Sequence, residues 1–157
     1  TDNTLDKVYE LSTTDFSVVR SAASIGSNPV GIGGDANTIW STDDTGDTVY
    51  EQSTTDLSSI RNASTPNLNP WGIGGDADTI WHNDAFVDTV YELSTTNFSV
   101  VSSASSPGAN PIGIGGDASV IWHADFVTDL TYELSTTDFS VVRSAATPAV
   151  DARGIGG

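Results

Sequence analysis

Gly31-Ile32-Gly33-Gly34 returns as Gly72-Ile73-Gly74-Gly75, Gly113-Ile114-Gly115-Gly116 and Gly154-Ile155-Gly156-Gly157, spaced by 41 residues each time. Tyr9, Tyr50, Tyr91 and Tyr132 keep the same interval, as do Trp40, Trp81 and Trp122. A fixed period in the forties marks one supersecondary unit repeated in tandem, each copy burying its apolar side on a neighbour. Bare glycines at alternate places suit a short strand crowded near an axis, where backbone fits and side chains do not.

Working outward from that strand, the unit 29–69 divides into four. Val30 to Gly34 reads as a first strand and Asp35-Ala36-Asn37 as a turn. Thr38-Ile39-Trp40-Ser41 is a second strand, closed by a turn from Asp43 to Asp47. Thr48-Val49-Tyr50-Glu51 is a third. Ser53-Thr54-Thr55-Asp56 turns again into a fourth strand, Leu57-Ser58-Ser59-Ile60-Arg61. The strands are short, β-branched and aromatic, and Asp, Asn, Ser, Thr, Gly or Pro bound each of them. No segment keeps a helical period. Four antiparallel strands in a unit of this length form one blade of a β-propeller. The expectation is therefore an all-β propeller of four-stranded antiparallel blades, with four 41-residue repeats in one domain over 1–157.

Blade borders fall at 29–69, 70–110 and 111–151, with a partial blade at 1–28 and the first strand of a further blade at 152–157. Thr1 is the counterpart of Thr42, so the chain opens just after a second strand. A blade built from both ends would lack that strand, leaving a first strand with nothing to bond across the gap. The ring is expected to be incomplete in one chain, and a protein partner or a second copy is expected to complete it. The chain has no Met, which points to a processed product or a fragment.

The wording Pro-x-Gly-Ile-Gly-Gly-Asp, then Ile-Trp-x-x-Asp, then Val-Tyr-Glu-Leu-Ser-Thr-Thr-Asp-Phe-Ser-Val-Val resembles blades of the NHL, YVTN and virginiamycin-B-lyase-like propeller group. The resemblance covers essentially the whole chain. It implies the fold and carries no activity, because the shared positions build blades and no catalytic motif of the lyase aligns.

With 37% hydrophobic residues and 15 Gly among 157, the composition is that of a globular chain with a core. Its net charge is −16, from 17 Asp and 4 Glu against Lys7, Arg20, Arg61, Arg143 and Arg153. Such a surface repels phosphate backbones and anionic membranes, so nucleic acid and membrane insertion are not expected. Carboxylate repulsion is relieved by salt, and the Asp-rich, Lys-poor balance resembles proteins of salt-adapted organisms. There is no Cys for disulfide or thiol chemistry. No apolar run approaches the roughly 18 residues of a membrane span.

Candidate functional residues follow from the repeats. Trp40, Trp81 and Trp122 sit mid-strand, where inter-blade packing competes with stacking on sugar rings. Trp71 replaces Val30 and Ile112 on the inner strand and should narrow the axial channel. Asp43, Asp84 and Asp125, each four residues before Asp47, Asp88 and Asp129, could hold Ca²⁺ in a turn. Asp in turns more commonly bonds its own backbone. His82 and His123 are equivalent, with Ser41 in the third place, and lack the further ligands zinc needs. Glu10, Glu51 and Glu133 face Arg20, Arg61 and Arg143 across a hairpin as cross-strand pairs, with Ser102 replacing the Arg once. Asn62-Ala63-Ser64 and Asn97-Phe98-Ser99 fit the N-glycosylation pattern and are placed in loops or hairpins.

Charged residues repeated evenly read as scaffold, whereas acid–base catalysis needs an odd residue in a pocket. The expected role is a non-catalytic interaction or structural module, extracellular or on a cell or virion surface, with no cofactor beyond a possible Ca²⁺. The alternative is a lectin-like binder of glycans between blades, and a lyase-like enzyme ranks third.

Overall fold

A computed structural model describes residues 1–2, 4–148, 150 and 153–156. Fourteen strands are present and no helix among the described residues. β1 (Lys7–Leu11) and β2 (Val18–Ala23) form a two-stranded hairpin. The next four strands are β3 (Pro29–Gly34), β4 (Thr38–Asp43), β5 (Thr48–Ser53) and β6 (Ser59–Ser64), and they make one antiparallel sheet in chain order. The same meander recurs as β7 (Pro70–Gly75), β8 (Ile80–Asp84), β9 (Thr89–Leu93) and β10 (Val100–Ser105). It recurs again as β11 (Pro111–Gly116), β12 (Ile121–Asp125), β13 (Leu130–Leu134) and β14 (Val141–Ala146).

The glycine strands β3, β7 and β11 lie side by side at the centre. A Cβ on Gly74 would stand 2.8 Å from the Cα of Gly115, and one on Gly33 would stand 2.6 Å from the Cα of Gly74. Backbone meets backbone there, which explains why the repeat removes side chains at this strand.

Each sheet has two faces with different chemistry. One carries Trp, Val (Thr131 in the last sheet) and a Glu paired with Arg or, once, Ser102; the other carries two Ile, Tyr, Leu or Gln52, and Phe or Leu57. Between the first and second full blades, Trp40 and Val49 pack on Ile73, Ile80, Tyr91, Leu93 and Phe98. Between the second and third, Trp81 and Val90 pack on Ile114, Ile121, Tyr132, Leu134 and Phe139. The Trp81 and Phe139 rings meet edge to face at 5.9 Å, the favoured geometry for aromatic quadrupoles. Period-two alternation along each strand places these residues on the correct faces.

The fourth strand begins later than its sequence suggests. Leu57 ends the preceding turn instead of opening β6, with φ of 63°, and Phe16, Phe98 and Phe139 repeat this at 57°, 60° and 59°. The turn is tied by its own polar groups: Phe98 N–H donates to the Ser94 carbonyl at 2.9 Å, and Ser94 N–H donates to the Ser99 carbonyl at 2.8 Å. A left-handed backbone is costly for a bulky residue. Here it swings Leu57, Phe98 and Phe139 into buried positions at 3%, 4% and 7% exposure, and the burial offsets the strain.

Residues 153–156 run along β11 as β11 runs along β7, with Ile155 N and Gly156 Cα 3.1 and 3.2 Å from the places where Gly113 and Gly115 would carry a Cβ. They occupy an inner-strand place but form no strand, since among the described residues no second strand bonds to them. Asp151, expected to end the blade 111–151, and Ala152 and Gly157, expected in the first strand of a further blade, lie outside the described residues. At the other end, Asp2 and Lys7 form a two-hydrogen-bond bridge, so Asp2 retains the last place of a second strand.

Candidate functional site

Most residues marked as candidates in the sequence are absorbed by the scaffold. Trp40 and Trp81 are 2% and 1% exposed, with both ring faces inside inter-blade cores. The Trp81 indole N–H donates to the Asp117 carbonyl of the next blade at 3.1 Å. Trp122 is half-buried, and the Arg143 guanidinium lies 5.5 Å from its ring centre.

The turn carboxylates bond backbone. Asp43 Oδ1 accepts from Gly46 N–H at 2.7 Å, and its Oδ2 accepts from Asn28 N–H at 2.6 Å. Asp84 Oδ1 takes Phe86 and Val87 N–H, and Asp125 Oδ1 takes Val127 and Thr128 N–H. Asp47 and Asp88 reach across to Asn69 and Asn110 N–H, so they tie one blade to the start of the next. Asp47, Asp88 and Asp129 also supply the positive φ the turn requires, at 45°, 49° and 52°. Burial, with help from the charges of Asp47 and Asp88, raises the Asp84 pKa. Among the described residues, no three His, Asp or Glu side chains converge as a metal-binding group.

His82 and His123 are fully buried. Each ring lies against the Tyr facing it on the next strand, His82 on Tyr91 at 6.0 Å and His123 on Tyr132 at 5.9 Å. His82 Nδ1 bonds the Gly72 carbonyl and His123 Nε2 pairs with the Ser106 hydroxyl, both at 3.0 Å. Burial holds both pKa values down to about 4, so both rings are neutral packing residues at ordinary pH.

Asn97 lies exposed in its hairpin turn, with Oδ1 accepting from Ser99 N–H at 3.0 Å. Asn62 is exposed too, but it sits within β6 and not in the loop its sequence context suggested, because that strand starts two residues later than expected.

On the inner segments, one row changes chemistry from blade to blade. Val30, Trp71, Ile112 and Arg153 are equivalent positions on the four inner segments, one apolar β-branched residue twice, then an indole and a guanidinium. A break in register opens β3, β7 and β11 at this point, and in the first two a side chain catches the N–H it frees. Gly31 N–H donates to Thr42 Oγ1 at 3.0 Å, and Gly72 N–H donates to Asn83 Oδ1 at 2.6 Å. Trp71 is fixed by Asn69, whose left-handed backbone (φ 65°) sets its Oδ1 2.9 Å from the indole N–H. The Arg153 guanidinium sits 5.2 Å from the Phe126 ring centre.

These four residues surround the axial end of the molecule. Val30, Trp71 and Arg153, with Thr1, Asp2 and Pro29, line a cavity of about 420 Å³. Beneath it, a smaller cavity of about 130 Å³ follows the axis between the glycine strands. Trp71 lines both. The mouth thus offers a pinned aromatic, a cation and a carboxylate. Sequence reasoning singled out Trp71 but missed Arg153 as its neighbour; the signal was the break in the repeat at 151–153.

No family model matches the chain, and no curated protein matches it. Solved structures do. A glutaminyl cyclase from Myxococcus xanthus aligns with TM-score 0.76 at 13% identity, over 96% of this chain and 72% of the other. Virginiamycin B lyase from Staphylococcus aureus aligns with TM-score 0.68 at 19% identity, over 100% of this chain. A streptogramin B lyase gives 0.67 at 20% over 99%. The fold is a β-propeller. This propeller chain spans 53% and 55% of the two lyases, and at these identities the likeness concerns architecture.

Proposed function

We propose that this propeller is a non-catalytic binding module, working outside the cell or on a cell or virion surface in a salt-rich setting, and that its axial mouth is the ligand-facing surface. The observation that carries this reading is the row Val30, Trp71, Ile112, Arg153, the inner row where near-identical blades diverge into an aromatic and a charged side chain. Arg20, Arg61 and Arg143 all pair with a Glu of their own hairpin, whereas Arg153 faces the mouth. The histidines are buried and neutral, and the carboxylate of the mouth, Asp2, accepts through Oδ1 from the N–H groups of Thr4 and Leu5, which supports binding over catalysis. The Asp-rich charge of −16 supports the salty, exported setting.

The ligand this surface suits is a segment with a flat apolar face for Trp71 and an acceptor for Arg153. A protein segment is the leading choice. A glycan is the second reading, favoured by one feature: the Trp71 indole is half-buried and held rigid at a cavity wall, a surface on which a sugar ring can stack.

A displayed peptide library and a glycan array, both probed in molar salt, test the proposal. Binders should lose at least about tenfold in affinity, about 1.4 kcal/mol, with Trp71→Val or Arg153→Ala. Val is the residue blade one already uses at this place, so the fold should persist. Binders indifferent to both substitutions, or none on either platform, would overturn the reading.

A further inference from the structure

The two junctions between full blades are sealed differently at the end away from the axial mouth. Val30 lies near the start of β3 and Asp35 just past its end, roughly 16 Å along the strand. Between the second and third full blades, two hydrogen bonds cross at this far end. The Trp81 indole N–H donates to the Asp117 carbonyl at 3.1 Å, and Asp76 Oδ2 accepts from Ala118 N–H at 3.0 Å. One repeat earlier the same positions are Trp40, Asp76, Asp35 and Ala77. Neither bond forms there. Trp40 is 2% exposed, and its buried indole nitrogen has no partner among the described residues. Asp35 gives Oδ1 to the N–H groups of Asn37 and Thr38 in its own turn, and its Oδ2 takes no bond from Ala77.

A cavity of about 160 Å³ stands at this place, lined by Trp40, Asp35, Glu51, Arg61 and Ala77 among others. Ala77 is exposed, so the cavity opens to solvent beside it. Arg61 forms a fixed wall, since Nε donates to Glu51 and the terminal nitrogens reach the carbonyls of Thr95 and Thr96. What the cleft leaves unspent is one buried N–H between two carboxylates. An unmet buried donor costs about 1–3 kcal/mol, so the place favours a group that accepts. At about 30 Å³ per water, the space is several times what one bridging water fills. It is also well below the roughly 300 Å³ at which sites for larger ligands begin, so the occupant is small.

Charge then selects its chemistry. An anion would satisfy the indole but face Asp35 and Glu51. A cation would satisfy the carboxylates but face the positive end of the N–H. A hydroxyl does both, because its oxygen accepts and its hydrogen donates. We propose that the cleft between β3–β6 and β7–β10 binds a pair of adjacent hydroxyl groups, from a small polyol or from the end residue of a glycan. One hydroxyl oxygen accepts from Trp40 Nε1, and the two hydroxyl hydrogens go to Asp35 and Glu51. The indole acts through its edge, since its faces are shut in the inter-blade core. The site uses neither Trp71 nor Arg153, so it stands apart from the axial mouth.

Heteronuclear NMR of the full chain in molar KCl tests this through the indole N–H signals. Methyl glycosides of glucose, galactose and mannose probe the glycan source, and glycerol and sorbitol probe the free polyol. At least one probe should move the Trp40 signal saturably, while the Trp81 signal stays in place because its N–H is already bonded. Asp35→Asn keeps the turn bonds through its amide oxygen and loses the carboxylate. It should raise the dissociation constant at least about tenfold, the loss expected for one hydrogen bond to a charged group. Trp71→Val should leave that constant unchanged, which separates this cleft from the mouth. A response to glycosides alone supports a glycan end, and an equal response to polyols supports the free small molecule. No saturable shift with any probe, Trp40 and Trp81 moving together, or a response to acetamide alone would each overturn the proposal. So would Asp35→Asn binding like wild type, or Trp71→Val abolishing the shift.

Discussion

The junction between β3–β6 and β7–β10 and the open face of β11–β14 are built from the same residue types, yet they are in different physical states. At the junction, Trp40 is 2% exposed and the Arg61 guanidinium is spread over a carboxylate, two carbonyls and a phenyl ring. At the open face, Trp122 is half-buried and Arg143 is folded back over it, bonded to Glu133 at 2.5 Å. The sequence of a blade therefore specifies what it can contact, and a neighbour decides whether the contact exists. Much of a blade's stability should be interfacial, as in other repeat proteins.

The largest test of that contrast compares tryptophans. Trp81→Ala should cost about 3–5 kcal/mol, since it empties a closed inter-blade core. Trp122→Ala should cost about half as much in dilute protein, because part of its surface is already in water. Denaturant midpoints of the two variants measure the gap; equal losses would mean the open face is covered in solution.

Glycines give the next contrast. Gly74→Ala forces a methyl group against the Gly115 backbone and should cost about 1–3 kcal/mol. Gly156→Ala meets nothing within 4 Å and should stay within about 0.5 kcal/mol of wild type. Thermal melts of both variants provide the check.

The smallest contrast is the latch. Arg61→Ala loses charge-assisted bonds to two carbonyls, and at 32% side-chain exposure about 1–2 kcal/mol is expected. Arg143→Ala removes an exposed pair and should change stability by less than about 0.5 kcal/mol at monomeric concentrations. A double-mutant cycle pairing Arg61→Ala with Glu51→Gln separates the carbonyl contacts from the ion pair.

How much of this was readable beforehand depends on the range of the interaction. The four-strand unit, its alternation and the Glu–Arg register came from local pattern, because strands repeat every two residues and turns declare themselves. The start of β6 was misjudged, since Leu57 looks like a strand residue, whereas the turn's own hydrogen bonds hold its backbone left-handed, as they do at the exposed Phe16. The reach of Arg20 and Arg61 into the next hairpin was invisible for a similar reason: it spans 34 and 35 residues and ends on carbonyls, which every residue has. The axial mouth was half legible. Trp71 announced itself as the odd member of a row, but its meeting with Arg153 and Asp2 depends on how far the blades rotate around the axis.

The 41-residue period, the glycine-bare inner strand and the two-faced alternation are local properties of the chain, and they determined that blades form and stack about an axis. Which indoles are shut in, which guanidinium finds a carbonyl and which side chains share the mouth were decided by tertiary packing alone. Identical residues acquire different surroundings when one blade has a neighbour and another does not, and that difference is a property of space, absent from the order of amino acids.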